Sequence, residues 1–131
     1  MLGLDTNVLV RLLVNDEPAQ ADRARRLVER CAAAGEPVFV SLLVLLETEW
    51  VLRSRYGFEK AKVRIAMDAL LETREFTIER EEAVEIALFH WDESAADFAD
   101  CLIAACHQSH GCRATATFDA RATRSPGFVA A

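Results

Sequence analysis

Carboxylates that follow predicted strands are the side chains of this sequence best placed to do chemistry. Asp5 follows the apolar run Met1 to Leu4, and Asp119 follows the run Ala114 to Phe118. Both runs indicate short strands, because each is apolar for the most part and ends at an aspartate. Aspartate also caps the helix that comes after a strand, so capping alone remains an alternative explanation for either residue.

Glu47 lies in the most apolar predicted helix of the chain, Leu42 to about Arg55. Glu49 has Arg53 four residues further on, in the favourable acid-before-base orientation, but Glu47 has no such partner. The residues three and four positions from Glu47 are Leu43, Val44, Trp50 and Val51. An unpaired carboxylate is costly to bury, so we expect Glu47 to meet a cation or a cleft. The alternative is that it reaches water at the edge of the helix.

Asp97 and Asp100 are three residues apart near the start of the predicted helix Ala95 to His110. At that spacing the two side chains are neighbours and repel each other. Helix capping explains Asp97, either as the cap itself or as the third residue of a helix that Ser94 caps. Capping explains Asp100 less well, because this residue opens an apolar run. We therefore predict that Asp100 is the functional acid and that Asp97 caps the helix or supports Asp100.

Short strands alternate with helices along the sequence, which predicts an α/β fold with a parallel sheet. The predicted strands are Met1 to Leu4, Val38 to Val40, Phe76 to Ile78 and Ala114 to Phe118. The predicted helices are Val8 to Val14, Pro18 to about Ala34, Leu42 to about Arg55, Glu59 to Glu72, Glu81 to Trp91 and Ala95 to His110. In such folds ligands bind outside the carboxyl ends of the strands.

Four acids from separate segments could meet in one crevice at that edge: Asp5, Glu47, Asp100 and Asp119. Each lies beside a predicted strand end or in the first half of a predicted helix. Converging carboxylates suit hard cations such as Mg²⁺ or Mn²⁺. One or two such ions can activate water and stabilise the charge of a phosphodiester transition state.

The composition limits the class of protein. The 131 residues predict a single domain over residues 1–131, and a hydrophobic share of 52 % excludes a disordered chain. A net charge of -6 argues against binding nucleic acid by bulk positive charge, but it leaves open an enzyme that places a metal between its acids and a phosphate. The sequence has neither an apolar run of membrane-spanning length nor a signal peptide, so we expect a cytoplasmic protein with reduced cysteines and no membrane partner.

A zinc site is an alternative for the second half of the chain. The spacing C-x4-C-H-x2-H-x-C is formed by Cys101, Cys106, His107, His110 and Cys112. It lacks the C-x2-C element of common structural zinc sites, and most of it lies on one predicted helix. Buried thiols beside polar histidines at a helix end are the favoured interpretation.

Four segments, in this order, resemble the acidic motifs of PIN-domain ribonucleases, and most closely those of the VapC-type toxins of type II toxin–antitoxin pairs. They are Leu4-Asp5-Thr6-Asn7-Val8-Leu9, the segment Ser41 to Leu52 around Glu47, the segment Asp97 to Ala105, and Ala116-Thr117-Phe118-Asp119. Any one of these motifs is weak, but the ordered set spans nearly the whole chain.

The resemblance implies a PIN-like three-layer α/β/α sandwich with a central parallel sheet of four or five strands. It implies an endoribonuclease that depends on Mg²⁺ or Mn²⁺, with an RNA substrate, a cognate antitoxin protein that covers the site, and a homodimer. The implied metal-binding and catalytic acids are Asp5, Glu47, Asp100 and Asp119, and the implied supporting groups are Thr6, Asn7, Asp97 and Thr117. One departure is Ala120, which stands where the family often has a basic residue.

Two other functions remain as alternatives. A phosphatase or phosphotransfer domain could use Asp5 as its nucleophile, but Asn7 stands where a D-x-D element has its second aspartate. A non-catalytic binding module could use an acidic pocket to bind a basic peptide.

Overall fold

Strands and helices alternate through the chain, as the sequence predicts. The computed structural model describes residues 1–131, which form five strands, six α-helices and one short 3₁₀ helix. They are grouped in two compact units, called here unit 1 (residues 1–79) and unit 2 (residues 80–131). The prediction of a single domain over residues 1–131 stays a prediction. None of the helices is both long and apolar enough to cross a membrane.

Unit 1 is built on a three-stranded parallel sheet. Its elements are β1 (Leu2–Gly3), α1 (Thr6–Leu13), α2 (Pro18–Ala33), β2 (Val38–Val40), α3 (Leu42–Ser54), α4 (Lys60–Glu72) and β3 (Phe76–Ile78). The strand order is β1-β2-β3, and Val38 pairs with both Leu2 and Phe76. Val38 and Val40 are fully buried, as expected for a strand with a neighbour on each side and helices around it.

Unit 2 contains two packed helices and a two-stranded parallel sheet. Its elements are α5 (Glu81–Glu93), α6 (Phe98–Ser109), β4 (Thr115–Thr117), a 3₁₀ helix (Ala122–Arg124) and β5 (Phe128–Ala130). Trp91 of α5 meets Phe98 of α6 edge to face, with ring centroids 5.3 Å apart. This geometry is the preferred one for aromatic pairs, and it fixes the two helices at the end where α6 begins.

The structure confirms the α/β class with parallel strands and differs in details. The sequence patterns predict four strands, and the resemblance implies one sheet of four or five. The structure has five strands, and their hydrogen bonds group them in one sheet of three and one of two. Strand β5 was not predicted, because three residues after Pro126-Gly127 carry too little pattern. Helix α6 begins at Phe98 and not at Ala95, because the backbone of Asp97 is still extended. Ser41 caps α3 as predicted, with its hydroxyl accepting from the Val44 N–H at 3.1 Å.

Helix α3 buries an acid on the side that carries Leu45, Leu52 and the buried Thr48, and pairs it with an arginine that reaches solvent. Glu49 is only 3 % exposed, whereas half of the Arg53 side chain is open to solvent. The Arg53 Nε donates to Glu49 Oε2 at 2.9 Å. The predicted pairing is therefore confirmed, and its importance lies in the burial of the acid, since a buried carboxylate needs its partner.

We expect Arg53→Leu to lower the free energy of unfolding by about 1–3 kcal/mol, because it removes the guanidinium that pairs with buried Glu49. The same change at the exposed neighbour Arg55 is the matched control and should have little effect. Adding Glu49→Gln to Arg53→Leu should recover part of the loss. Urea unfolding of the variants measures this, and equal stability of the Arg53→Leu and Arg55→Leu proteins would contradict it.

Candidate functional site

Asp5 occupies the turn between β1 and α1. Its backbone is extended, it takes the N-cap position of α1, and its Oδ1 accepts the N–H of Thr6 at 2.8 Å. The side chain is exposed. Capping and function are compatible here, because one carboxylate oxygen is enough for this hydrogen bond and the helix N-terminus favours negative charge.

Thr6 connects this turn to Glu47. Its buried hydroxyl donates a hydrogen bond to Glu47 Oε1, so residues 41 positions apart meet through one side chain. Asp5 and Glu47 are therefore both tied to Thr6, one through its backbone and the other through its hydroxyl. Asn7, the next residue of α1, is exposed beside them. Unit 1 thus brings together two predicted acids and two predicted supporting residues.

The side chain of Glu47 is exposed, which agrees with the alternative that it reaches water at the edge of the helix. That it meets a cation stays a prediction. Its apolar neighbours on this face are also open to solvent, with Leu43 79 % and Trp50 50 % exposed. Leu43, Glu47 and Trp50 are spaced i, i+4 and i+7, and so they share the outer face of α3. The buried face carries Glu49 instead. Glu47 is held at the surface by a hydroxyl from α1 and keeps its second oxygen for another partner.

Asp97 and Asp100 lie at the start of α6, as the sequence predicts. Asp97 takes the N-cap position, but its side chain makes no capping hydrogen bond. Asp100 is half-buried in the first turn. Burial raises the pKa of the Asp100 carboxyl, and the negative charges of Asp97 and Asp119 raise it further, while Arg121 opposes them. Three of the predicted residues of unit 2 are thus close enough to act on one another.

Asp119 follows β4 in a tight turn. Thr117 Oγ1 accepts the N–H of Asp119 at 3.0 Å, and Asp119 Oδ1 accepts the N–H of Arg121 at 2.8 Å. Both are local side-chain-to-backbone bonds of the kind that hold aspartate turns. The Arg121 guanidinium also donates to the carbonyl of Ala95 at 3.0 Å. Arg121 therefore ties this turn to the segment before α6, a role that sequence reasoning missed because the two segments are far apart in the chain.

The alternative zinc site is not formed. No three His, Cys, Asp or Glu side chains within either unit are gathered as a ready metal site. Of the residues in that pattern, Cys101 is buried, and His107 Nδ1 lies 2.9 Å from the hydroxyl of Thr115. The expected burial is confirmed for Cys101, but Cys106 is only half-buried and Cys112 is exposed.

The donor set of each unit suits a hard divalent cation. Unit 1 offers the free oxygens of Asp5 and Glu47. Unit 2 offers the carboxylate of Asp100, whose pKa is raised by burial first and then by the negative charges of Asp97 and Asp119. Oxygen ligands of this kind are those that Mg²⁺ and Mn²⁺ prefer, and a cation would relieve the repulsion. That all four acids share one site stays a prediction.

Asp100→Asn should stabilise the protein against unfolding at neutral pH in the presence of EDTA. Because the pKa of Asp100 is raised on folding, the folded chain holds this proton at pH values where the unfolded chain has lost it. Stability therefore falls as the pH rises through that range, and the penalty is complete above it. We expect the gain in melting temperature to be largest at pH 7 and to shrink toward pH 4. A variant less stable than the parent at pH 7 would contradict this.

Comparisons with known proteins identify the family of this chain. The family model of the PIN domain matches residues 3–127. A VapC ribonuclease of Aquifex aeolicus (strain VF5) is 24 % identical over 118 residues, which cover 90 % of this chain and 87 % of that protein. The chain is also 24 % identical to Mycobacterium tuberculosis VapC20, a toxin that cleaves the sarcin–ricin loop. The match to its crystal structure covers 98 % of this chain and 97 % of that chain, with a TM-score of 0.43. Since the family model spans nearly the whole sequence, this chain belongs to the PIN-domain family.

Proposed function

We propose that this chain is a metal-dependent endoribonuclease and the toxin of a toxin–antitoxin pair. Membership of the PIN-domain family and the VapC ribonuclease of Aquifex aeolicus among its relatives support the activity and the toxin role. The observation that carries the proposal is the arrangement in unit 1, where the buried Thr6 holds both Asp5 and Glu47 at the surface. Asp5 also caps α1, but the cap uses one carboxylate oxygen and leaves the other for a ligand, and Glu47 caps no helix.

The proposed ligands of Mg²⁺ or Mn²⁺ are the carboxylates of Asp5, Glu47, Asp100 and Asp119. Held by these carboxylates, such an ion would supply Lewis-acid chemistry: it would polarise the scissile phosphate and lower the pKa of a water molecule for in-line attack. Glu47 also orients the attacking water, because the Thr6 hydroxyl occupies one of its oxygens and leaves the other open. Thr117 keeps the Asp119 turn closed through the Asp119 N–H. Asp97 adds negative charge beside Asp100.

The proposed partners are an RNA strand, a cognate antitoxin and a second copy of the chain. Carboxylates that repel one another without a bound cation offer a site for a basic side chain, which is how an antitoxin would block the enzyme. For the second copy, the exposed Leu43 and Trp50 on the outer face of α3 supply apolar surface next to Glu47. Exposed apolar groups on one face are a common mark of a protein interface.

RNA cleavage should require each of the proposed ligand acids, so that replacing a single one is enough to slow it. Asp5→Asn and Asp100→Asn each keep the size of the side chain and remove the charge that holds the ion. We expect each to lower the rate of RNA cleavage in Mg²⁺ about 100-fold or more. Asp92→Asn, an exposed change at the end of α5, is the matched control and should cleave at the parent rate. The measurement is sequencing of RNA ends after timed incubation of total cellular RNA with the purified protein.

Circular dichroism should show that both variants are folded. A folded Asp5→Asn protein that cleaves RNA as fast as the parent would overturn the proposed function. The same RNA reaction with an excess of EDTA should stop and should resume when Mn²⁺ is added.

A further inference from the structure

A groove with a cationic lining lies between α1 and α2 in unit 1, and we call it the arginine groove. Its volume is about 550 Å³, and its polar lining comes from six side chains. They are Asn7, Arg11, Gln20, Arg23, Arg26 and Arg30. No Asp or Glu lines the groove. Four guanidinium groups in one groove are unexpected in a chain whose net charge is -6, and they indicate an anionic ligand.

The arginines of α2 share one face of that helix. Arg23, Arg26 and Arg30 are spaced i, i+3 and i+7, a pattern that keeps side chains on the same side. Arg23 and Arg30 are in no ion pair, and Arg26 is 3.5 Å from Asp22 in a pair whose two side chains are more than half exposed. Such exposed pairs contribute little. The positive charge of this face is therefore available to a ligand.

Arg11 is fixed in place on the opposite wall, α1. Its Nε donates to Gln20 Oε1 at 2.6 Å, and its Nη1 donates to the Tyr56 hydroxyl at 2.9 Å. Tyr56 in turn donates to Asp16 at 2.9 Å. A guanidinium already oriented by neighbours loses less side-chain entropy when it binds a ligand. Arg11 also forms an ion pair with Asp16 at 3.4 Å, which offsets part of its charge. The groove thus combines one arginine that is held by its neighbours with three exposed arginines of α2.

The groove begins next to the candidate acids. Asn7 lines it, and Asn7 follows Asp5 and Thr6 directly on α1. From Arg23 to Arg30 the helix rises about 10 Å, so the cationic groups are spread along a line and not gathered at a point. A row of guanidinium groups that leads to a carboxylate site matches a chain of phosphates, because arginine forks bind phosphate oxygens well.

We propose that the arginine groove binds the phosphate backbone of the RNA strand beside the cleaved bond. The inference rests on the proposed function, since it assigns this surface to the same substrate. It also resolves an electrostatic problem, because the acids at the site repel RNA and a separate cationic surface must hold it. The contacts are to phosphates, so they contribute affinity without selecting a base sequence.

The test compares two double variants with the same loss of charge. Arg23→Gln with Arg30→Gln alters the groove, whereas Arg25→Gln with Arg74→Gln removes two exposed arginines of unit 1 that do not line it. Both are made in an Asp5→Asn background with Mg²⁺, so that RNA stays intact, and circular dichroism checks folding. The probe is a fluorescein-labelled oligouridylate of twelve nucleotides, whose affinity is measured by anisotropy over a series of salt concentrations.

The logarithm of the binding constant falls linearly with the logarithm of the salt concentration, and for single-stranded RNA each phosphate contact contributes about 0.7 to the steepness of that slope. The groove variant, which loses two such contacts, should therefore show a slope that is shallower by about 1.4 and should bind more weakly at low salt. The control variant should keep the slope of the parent. Equal slopes for the groove variant and the parent, or equal losses in both variants, would overturn the proposal. A groove variant that keeps RNA binding but loses binding of a labelled polyglutamate peptide would assign the groove to an acidic protein segment and also overturn it.

The two proposals fail in different ways. If folded Asp5→Asn protein still cleaves RNA, the proposed function fails, whatever the groove binds. If cleavage needs Asp5 while the groove variant binds the oligouridylate with the slope of the parent, only the assignment of the arginine groove fails.

Discussion

Burial of one carboxyl beside two others is the main electrostatic constraint in unit 2. Asp100 is half-buried in the first turn of α6, burial raises its pKa, and the negative charges of Asp97 and Asp119 raise it further. A capping hydrogen bond from the backbone of α6 would offset part of the negative charge of Asp97, but the Asp97 side chain makes no such bond. Groups whose ionisation is disfavoured by their surroundings are typical of functional sites. Ionisation of Asp100 therefore lowers the stability of the folded protein when no cation is present, and a bound cation would offset that cost.

The two acids of unit 1 are positioned differently from those of unit 2. Asp5 and Glu47 are exposed, so solvent screens them, and their positions are set by Thr6 and not by mutual repulsion. On the same helix as Glu47, the buried acid Glu49 is matched by Arg53. Helix α3 thus carries one acid that is buried and paired, and one exposed acid that we propose as a metal ligand. The arginine groove continues from this end of α1 and adds positive charge where an RNA strand would need it.

Local sequence patterns were enough to predict the elements that hold the acids. Strands Val38–Val40 and Phe76–Ile78 are apolar runs between turn signals, and the caps at Asp5 and Ser41 follow from helix chemistry. The sequence left two positions open for Glu47, a cleft or the solvent-exposed edge of its helix, because apolar neighbours do not tell which face of a helix is buried. Strand β5 depends on pairing with a distant strand, and the bond from Arg121 to Ala95 spans 26 residues. The arginine groove needs two helices to pack, so no single segment carries its pattern.

Cation binding by the carboxylates is the central claim, and calorimetric titration with Mn²⁺ tests it most directly because it needs no RNA target. The full chain should bind Mn²⁺ at neutral pH, Asp100→Asn should weaken that binding about 10-fold or more, and Asp92→Asn should leave it unchanged. Mn²⁺ binding of equal strength in the parent and in folded Asp100→Asn protein, or no binding by the parent, would contradict the account.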